Sequence, residues 1–357
     1  MRIHNCVKVL VVAALLPVCM VSAADSPRPA AFIEAVGEQD DAAPSYNLDE
    51  PAPPIAPAQA NLPVSAFSEV WAYVVSGREA SYTPSLPISD IGYFGADVNL
   101  YGELVGVPNP KTLRNMGFKG QIHLVVACTG RALTHFVLAP GAVRNKLIAD
   151  LLDRTLAFDG LQIDFENVPP RDRDAFHSFL AALWRGVGKN KMFSIAIRAL
   201  VRDNDPVYDY SKIKPITDRM LVMAYDEHWS TSEAGPIASM AWCNSVAKYA
   251  LSVIGREKLV MGLPFYGRTW ASERSSGDYI YSSIEKLKDE HHVSQVQRDD
   301  GIPHFTYQQT VTVTAYYEDT VSLSRRMELY RSLGVKSIGF WRLGQEIPSV
   351  WDHIKLD

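Results

Sequence analysis

Residues 158–166 read Phe-Asp-Gly-Leu-Gln-Ile-Asp-Phe-Glu. Leu161, Ile163 and Phe165 share one parity, and Gln162, Asp164 and Glu166 share the other. Side chains alternate across a β-strand, so this spacing predicts a strand with one apolar and one polar face. Asp164 and Glu166 would stand about 7 Å apart along it, at a rise of roughly 3.3 Å per residue. Two carboxyls held that close on a half-buried strand cannot both ionise cheaply, and one keeps its proton near neutral pH. A protonated carboxyl beside an ionised one is the equipment for breaking a glycosidic bond. A lone Asp-x-Glu pair on a strand is more often structural, with Asn167 capping the next helix. The reason to prefer chemistry must come from the rest of the chain.

Apolar, β-rich runs recur at Val70–Val75, Ile88–Phe94, Ile122–Ala127, Gly160–Phe165, Phe193–Ile197, Met220–Tyr225, Leu259–Pro264 and Ser337–Trp341. Helical periodicity separates several of them, over Pro140–Ala157, Pro170–Val187, Ile237–Ile254 and Thr320–Leu333. The second of these opens on a proline suited to a first helical turn. Strands alternating with helices imply a parallel sheet with right-handed crossovers. Eight such units predict an α/β fold, a closed (β/α)₈ TIM barrel. An open doubly wound sheet is the alternative, but no glycine-rich phosphate loop follows the first strand.

Active sites of such barrels lie at the C-terminal strand ends. Those ends here carry Asp164 and Glu166 on strand 4, Tyr225 and Asp226 on strand 6, Tyr266 and Arg268 after strand 7, and Trp341 on strand 8. Aromatic rings suit sugar faces and carboxylates suit hydroxyls, so this rim fits a carbohydrate cleft. Each residue singly has a plain packing or capping role; their convergence is the argument. Between strands 7 and 8, residues 270–317 exceed an ordinary connection. Pro303–Tyr307 and Val311–Tyr316 alternate like short strands, which predicts a small β-containing insertion walling the cleft. His291 and His292 are read as a solvated loop pair without metal-ligand spacing.

Residues 1–24 read as a secretory signal: Arg2 and Lys8, an apolar run over Val9–Leu16, then Ser22-Ala23-Ala24. The run is too short to span a membrane. Lipid attachment at Cys19 is the weaker alternative, because Val18 is not small. Cleavage would remove Arg2 and Lys8 from 35 basic groups, leaving 33 against 40 acidic groups and a formal charge of −7. That balance disfavours nucleic acid. Residues 25–64 form a Pro/Ala-rich acidic linker, and 65–357 the catalytic domain. Only Cys128 and Cys243 would remain after cleavage; both read as buried thiols rather than a framework or zinc site.

Asp159-Gly160-x-x-x-Asp164-x-Glu166 resembles the strand-4 signature of the family 18 glycoside hydrolases, the chitinase-like enzymes. The resemblance extends to Met223-Ala224-Tyr225-Asp226, to Gly262-Leu263-Pro264-Phe265-Tyr266-Gly267-Arg268, and to Gly339-Phe340-Trp341-x-Leu343-Gly344-Gln345-Glu346. It covers the chain from about Ser65 to its end. Phe165-Glu166-Asn167-Val168 and Asp226-Glu227-His228-Trp229 look most like the branch of spore-cortex-lytic enzymes, which cleave peptidoglycan.

The resemblance implies that Glu166 is the acid and that the substrate's own N-acetyl carbonyl attacks the anomeric carbon, the exception among two-carboxylate glycosidases. Asp164 would then orient that acetamido group, Tyr225 and Asp226 would hold it, and Trp341 would floor the sugar. Tyr266, Arg268, Gln162, Asp159 and Met223 complete the substrate-binding set. It implies no cofactor and no metal, and a glycan as the partner of a chain acting as a monomer. Gln162 departs from the Asp common in the family, which removes one charge beneath Asp164. Ala127-Cys128-Thr129-Gly130 replaces a turn rich in serine and glycine. Arg198 near the cleft reads as a structural ion pair, with a muramyl or peptide carboxylate as the second option. The expected function is β-N-acetylglucosaminidase action on peptidoglycan. A chitinase is the first rival and a non-catalytic glycan-binding barrel the second.

The signal predicts export to the periplasm or beyond. N-terminal sequencing of the protein from its own host should find a start near Asp25, whereas a lipid-bearing start at Cys19 would overturn cleavage at Ala24.

Overall fold

Eight parallel strands close on themselves in the computed structural model, which describes residues 61–272, 281–299 and 302–357. The segment expected to be a signal and most of the expected linker lie outside the described residues. The strands are β1 (Glu69–Val75), β2 (Asp90–Val98), β3 (Gln121–Cys128), β4 (Gly160–Phe165), β5 (Met192–Arg198), β6 (Arg219–Met223), β7 (Leu259–Pro264) and β8 (Ser337–Trp341). Each pairs with the next, and β8 returns to β1 with Ser337 opposite Glu69. The expected (β/α)₈ barrel is therefore the observed architecture.

Alternation decides what faces where. Val70, Ala72 and Val74 of β1, with Leu161, Ile163 and Phe165 of β4, point outward into the layer between strands and helices. There Phe165 lies 5.4 Å from the ring of Phe179 on the helix Arg173–Val187. Trp71, Tyr73, Val125, Leu221 and Val260 point inward and fill the barrel. Burying a large apolar side chain contributes roughly 1.5–3 kcal/mol. The outer layer holds far more such side chains than the interior. Stability therefore resides mainly outside the barrel wall, which leaves the inner column of β4 free to carry Gln162 and Asp164.

The N-terminal ends of the strands are tied by charge. Arg219 clasps Glu69 with contacts of 2.5–3.1 Å, and the indole of Trp71 donates to the same carboxylate at 3.1 Å. Despite its burial, Glu69 is held below the ordinary carboxylate range by Arg219. Asp90 Oδ1 lies 2.9 Å from His123 Nε2 and accepts its hydrogen bond, and the His123 ring stacks on Trp71. This end is structural, as expected for that face of the fold.

Boundaries differ from expectation in informative places. β2 begins at Asp90 rather than Ile88 and runs on to Val98, where it meets Leu104–Val105 antiparallel. β6 stops at Met223, because the Ala224 amide turns back onto the Val222 carbonyl at 2.8 Å. In the insertion, Val313–Tyr316 pairs antiparallel with Arg268–Ala271. Gln297–Asp299 and Ile302–His304 form a second short hairpin, so the expected strand at Pro303–Tyr307 is shorter and shifted. A helix at Tyr281–Glu290 was not anticipated; its apolar residues are too few to mark a buried face. Among the described residues no helix is long and apolar enough to cross a membrane.

The helix Thr320–Ser332 is fixed by a capping box between Asp319 and Ser322 and by a buried ion pair. Arg326 contacts both Glu318 oxygens at 3.1 Å and donates to the Ala238 carbonyl at 2.6 Å. Arg326→Met should lower the unfolding free energy by about 3–5 kcal/mol, since it strands the Glu318 carboxylate in a buried position. Adding Glu318→Gln should restore part of the loss; urea titration of both variants measures it.

Candidate active site

The site is built from the mouth of the barrel downward. Asp164 is only 8% exposed, and its Oδ1 finds no hydrogen-bond partner. Burial, and then the neighbouring charge of Glu166, push its carboxyl well above the ordinary aspartate range. Glu166 stands one step further out, with its amide donating to the Cys128 carbonyl at 3.0 Å. Its carboxyl is also raised, by burial first and by the charge of Asp226 second, against a lowering pull from Arg198. The two carboxyls anticipated from the strand pattern thus sit in a setting that favours a shared or retained proton.

Below Asp164 lies a neutral column. The Tyr73 hydroxyl donates to Gln162 Oε1 at 2.5 Å, and Gln162 Nε2 donates to Ser194 Oγ at 3.2 Å. Gln162 is fully buried. It supports the floor of the site rather than the opening. Tyr73 and Ser194 escaped the sequence reading, although their inward parity on β1 and β5 was the signal available.

Asp226 faces Glu166 from across the mouth. Its backbone is left-handed, at φ 60°, a conformation that aspartate tolerates better than most residues. One oxygen, Oδ1, accepts from the Tyr266 hydroxyl at 2.5 Å and from Arg268 Nη2 at 2.6 Å. The guanidinium also lies over the Tyr266 ring, 5.4 Å from its centre. Tyr225 meets Tyr266 edge to face at 6.2 Å. Gly262 on β7 makes room for this: a Cβ there would fall 2.7 Å from the Val222 carbonyl and 3.0 Å from the Tyr225 ring.

Trp341 closes the β8 side, held edge-on by Phe94 at 5.1 Å and Tyr73 at 5.2 Å. Met223, half-buried, packs with it against the interior cluster. Asp164, Glu166, Tyr225, Asp226, Tyr266, Arg268, Trp341, Met223 and Gln162 are therefore brought to one end of the barrel. Asp159 is not. It precedes β4 at the opposite end, where it accepts from Arg114 at 2.5 Å and from the Ile122 amide at 2.8 Å. Its place in the substrate-binding set is corrected to that of a brace, because the four strand residues 160–163 separate it from Asp164.

Other expectations fall into place nearby. Arg198 pairs with Asp205 at 3.1 Å, the structural ion pair anticipated. Tyr208, which the sequence did not flag, donates to the Phe165 carbonyl at 2.8 Å and braces the turn after Glu166. Cys128 and Cys243 are both buried free thiols, and burial pushes Cys128 up to about 12. His291 stacks on Tyr307 in the insertion. The Trp270 indole donates to the Trp229 carbonyl at 3.2 Å, joining the insertion to the β6 loop. A depression of about 370 Å³ lies there, lined among others by Ser230, Arg268, Tyr316 and Tyr317. A second, of about 350 Å³, is lined by Arg131, Ala132, Pro169, Pro170 and Arg171.

Residues 133–346, more than half of the chain, match the profile of the glycosyl hydrolases of family 18. The chain belongs to this family. Among its relatives is YdhD of Bacillus subtilis strain 168, provisionally named a sporulation-specific glycosylase, with 31% identity over 59% of this chain and 53% of that protein. A cortical fragment-lytic enzyme of Bacillus anthracis shares 25% over 61% of this chain and 54% of its own length. The chain thus spans about half the length of these relatives. In structure, the Bacillus cereus spore cortex-lytic enzyme SleL superposes with a TM-score of 0.64 at 21% identity, over 81% of this chain and 74% of that one.

The opposed pulls on Glu166 give a signed expectation. Asp226→Asn removes a negative neighbour and should move the Glu166 titration to lower pH. Arg198→Gln removes a positive one and should move it to higher pH. Carboxyl-labelled NMR titration of the two variants reads both shifts, and shifts of the same sign would contradict the assigned geometry.

Proposed function

We propose that this protein is an exported glycoside hydrolase that cleaves the β-1,4 bond following N-acetylglucosamine in peptidoglycan. The observation that carries the reading is the buried Asp164–Glu166 pair facing the Asp226–Tyr266–Arg268 cluster across a tryptophan-floored mouth. The names of the cortical fragment-lytic relatives favour peptidoglycan over chitin.

In this mechanism the sugar to be cleaved lies on Trp341, with its acetamido group between Asp164 and the Tyr225–Asp226 side. The acetamido oxygen attacks the anomeric carbon as the glycosidic bond breaks, and Glu166 gives its proton to the departing oxygen. Asp164 stabilises the positive charge that the acetamido nitrogen gains. Water then adds to the same carbon from the opposite side, Glu166 takes its proton and the bond to the acetamido oxygen breaks, restoring the neutral acetamide, so configuration is retained. Burial serves this cycle, since a raised Glu166 keeps its proton closer to neutral pH than a free glutamate does.

Arg268 and Tyr266 have a positioning part. They hold Asp226 by the same oxygen, which leaves Oδ2 as the atom for the substrate's N–H or hydroxyl. The chain is taken to act as a monomer on a single glycan strand.

Glu166→Gln keeps shape but cannot deliver a proton. The kcat on purified peptidoglycan should fall by at least about 10²-fold, with binding retained. Mass spectrometry of wild-type products should find reducing-end N-acetylglucosamine. Reducing N-acetylmuramic acid would refute the bond assignment, activity confined to chitin oligomers would establish the chitinase rival, and a Glu166→Gln variant as active as wild type would remove Glu166 from catalysis.

A further inference from the structure

The C-terminal ends of β3, β4 and β5 stand together, and β4 lies opposite β8 in the closed strand order. If the attacked sugar rests on Trp341 of β8 and Glu166 of β4 protonates its bond, the departing sugar extends over the β3–β5 rim. This inference rests on the reading above and concerns what that rim selects.

The rim is cationic. Arg131 opens the helix Arg131–Leu138, and Arg171 lies in the turn Pro170–Asp172. Together they line the depression of about 350 Å³. Arg131 is three residues beyond Cys128, whose carbonyl accepts from the Glu166 amide, and Pro169 is three residues beyond Glu166. Three residues of extended chain reach at most roughly 10 Å, so the lining residues start within that distance of Glu166 and of the Cys128 carbonyl that holds its amide.

Its walls are fixed rather than loose. Asp172, 6% exposed, ties its turn to the helix Arg131–Leu138 by a 2.8 Å contact with His135 Nδ1. His135 takes Oδ1 of that carboxylate, and Oδ2 forms an ion pair with Arg171 Nε at 3.9 Å, too long for a hydrogen bond. Arg131 makes no ion pair among the described residues. Two exposed guanidinium groups thus line one cavity, Arg171 with a single long ion pair to Asp172, and among the described residues no carboxylate hydrogen-bonds either planar donor fork. A strand of plain N-acetylglucosamine offers them no charge, whereas a sugar bearing an acidic ether substituent does.

We propose that Arg131 and Arg171 form a carboxylate-reading subsite for the departing sugar, selecting glycans whose leaving residue carries an acid group. The carboxylate has two sources, the lactyl group of a bare muramyl residue and the stem peptide attached to it.

The test measures binding to the full chain carrying Glu166→Gln, so that no turnover is needed. The probes are a peptide-free GlcNAc–MurNAc oligomer, the same oligomer with its stem peptide, and a GlcNAc oligomer of equal length. Arg131→Ala with Arg171→Ala should raise Kd for a carboxylate-bearing probe about fivefold, because exposed charge contacts are individually weak. It should also flatten the salt dependence of that binding. Arg131→Lys with Arg171→Lys should recover part of the affinity. Loss confined to the peptide-bearing probe assigns the stem carboxylates, and loss already present with the bare oligomer assigns the lactyl group. Equal weakening for all three probes, or none for any, would overturn the proposal. Failure of the peptidoglycan reading appears separately, as absence of reducing-end N-acetylglucosamine from the unmutated chain.

Discussion

A carboxyl placed inside a barrel of apolar side chains is the constraint around which this molecule is organised. Asp164 is almost wholly out of water and has an oxygen without a partner. Leaving it ionised would cost several kcal/mol unless charges or donors surrounded it. Among the described residues no cation pairs with it from beneath. It supplies instead a neutral column of Tyr73, Gln162 and Ser194, and an ionisable neighbour above it. The cheapest arrangement is to keep a proton in the pair. Catalysis of the proposed kind needs that proton at Glu166, so the same desolvation that strains the resting site equips it.

That burden is tolerable because it is separated from the parts that hold the fold. The outward face of β4 packs Leu161, Ile163 and Phe165 into the strand–helix layer, and the far end of the barrel is clamped by Glu69–Arg219 and Asp90–His123. One strand therefore does two jobs on its two faces. A one-residue slip of its register would exchange them and destroy both. The Asp159–Arg114 contact and the Ile122 amide on Asp159 guard that register from below.

The strand periodicity and the raised Asp164–Glu166 carboxyl pair were legible from sequence because both are local. Eight apolar runs, and a two-residue alternation of acids, need no knowledge of distant residues. Tyr73 and Ser194 were missed because their partner Gln162 is 89 and 32 residues away, and nothing local marks a tyrosine on an apolar strand as polar-facing. Asp159 was misplaced for the opposite reason. Its closeness in sequence to Asp164 suggested closeness in role, yet an extended strand carries its ends to opposite faces of the barrel. The helix Tyr281–Glu290 offers only a short stripe, Tyr281, Ile284 and Leu287, none of it buried, inside a segment read for its strands. The end of β6 was read two residues too long, since the Ala224 turn and the left-handed Asp226 are set by neighbours rather than by propensity.

Gln162 shows how a departure from a family pattern is absorbed. An aspartate at this depth would place a third ionisable group in the column and give Asp164 a competitor for its proton. The amide instead satisfies both its ends with neutral partners, accepting from Tyr73 and donating to Ser194. No hydrogen bond passes from it to Asp164, whose free Oδ1 remains oriented by packing alone. Asp164 is thereby left to exchange its charge upward, with Glu166 and with whatever occupies the mouth. In the proposed cycle that upward partner is an acetamido group acquiring positive charge, the one species that would make ionised Asp164 favourable in so dry a place. The neutral column thus ties the charge state of Asp164 to the arrival of substrate rather than to a buried relay.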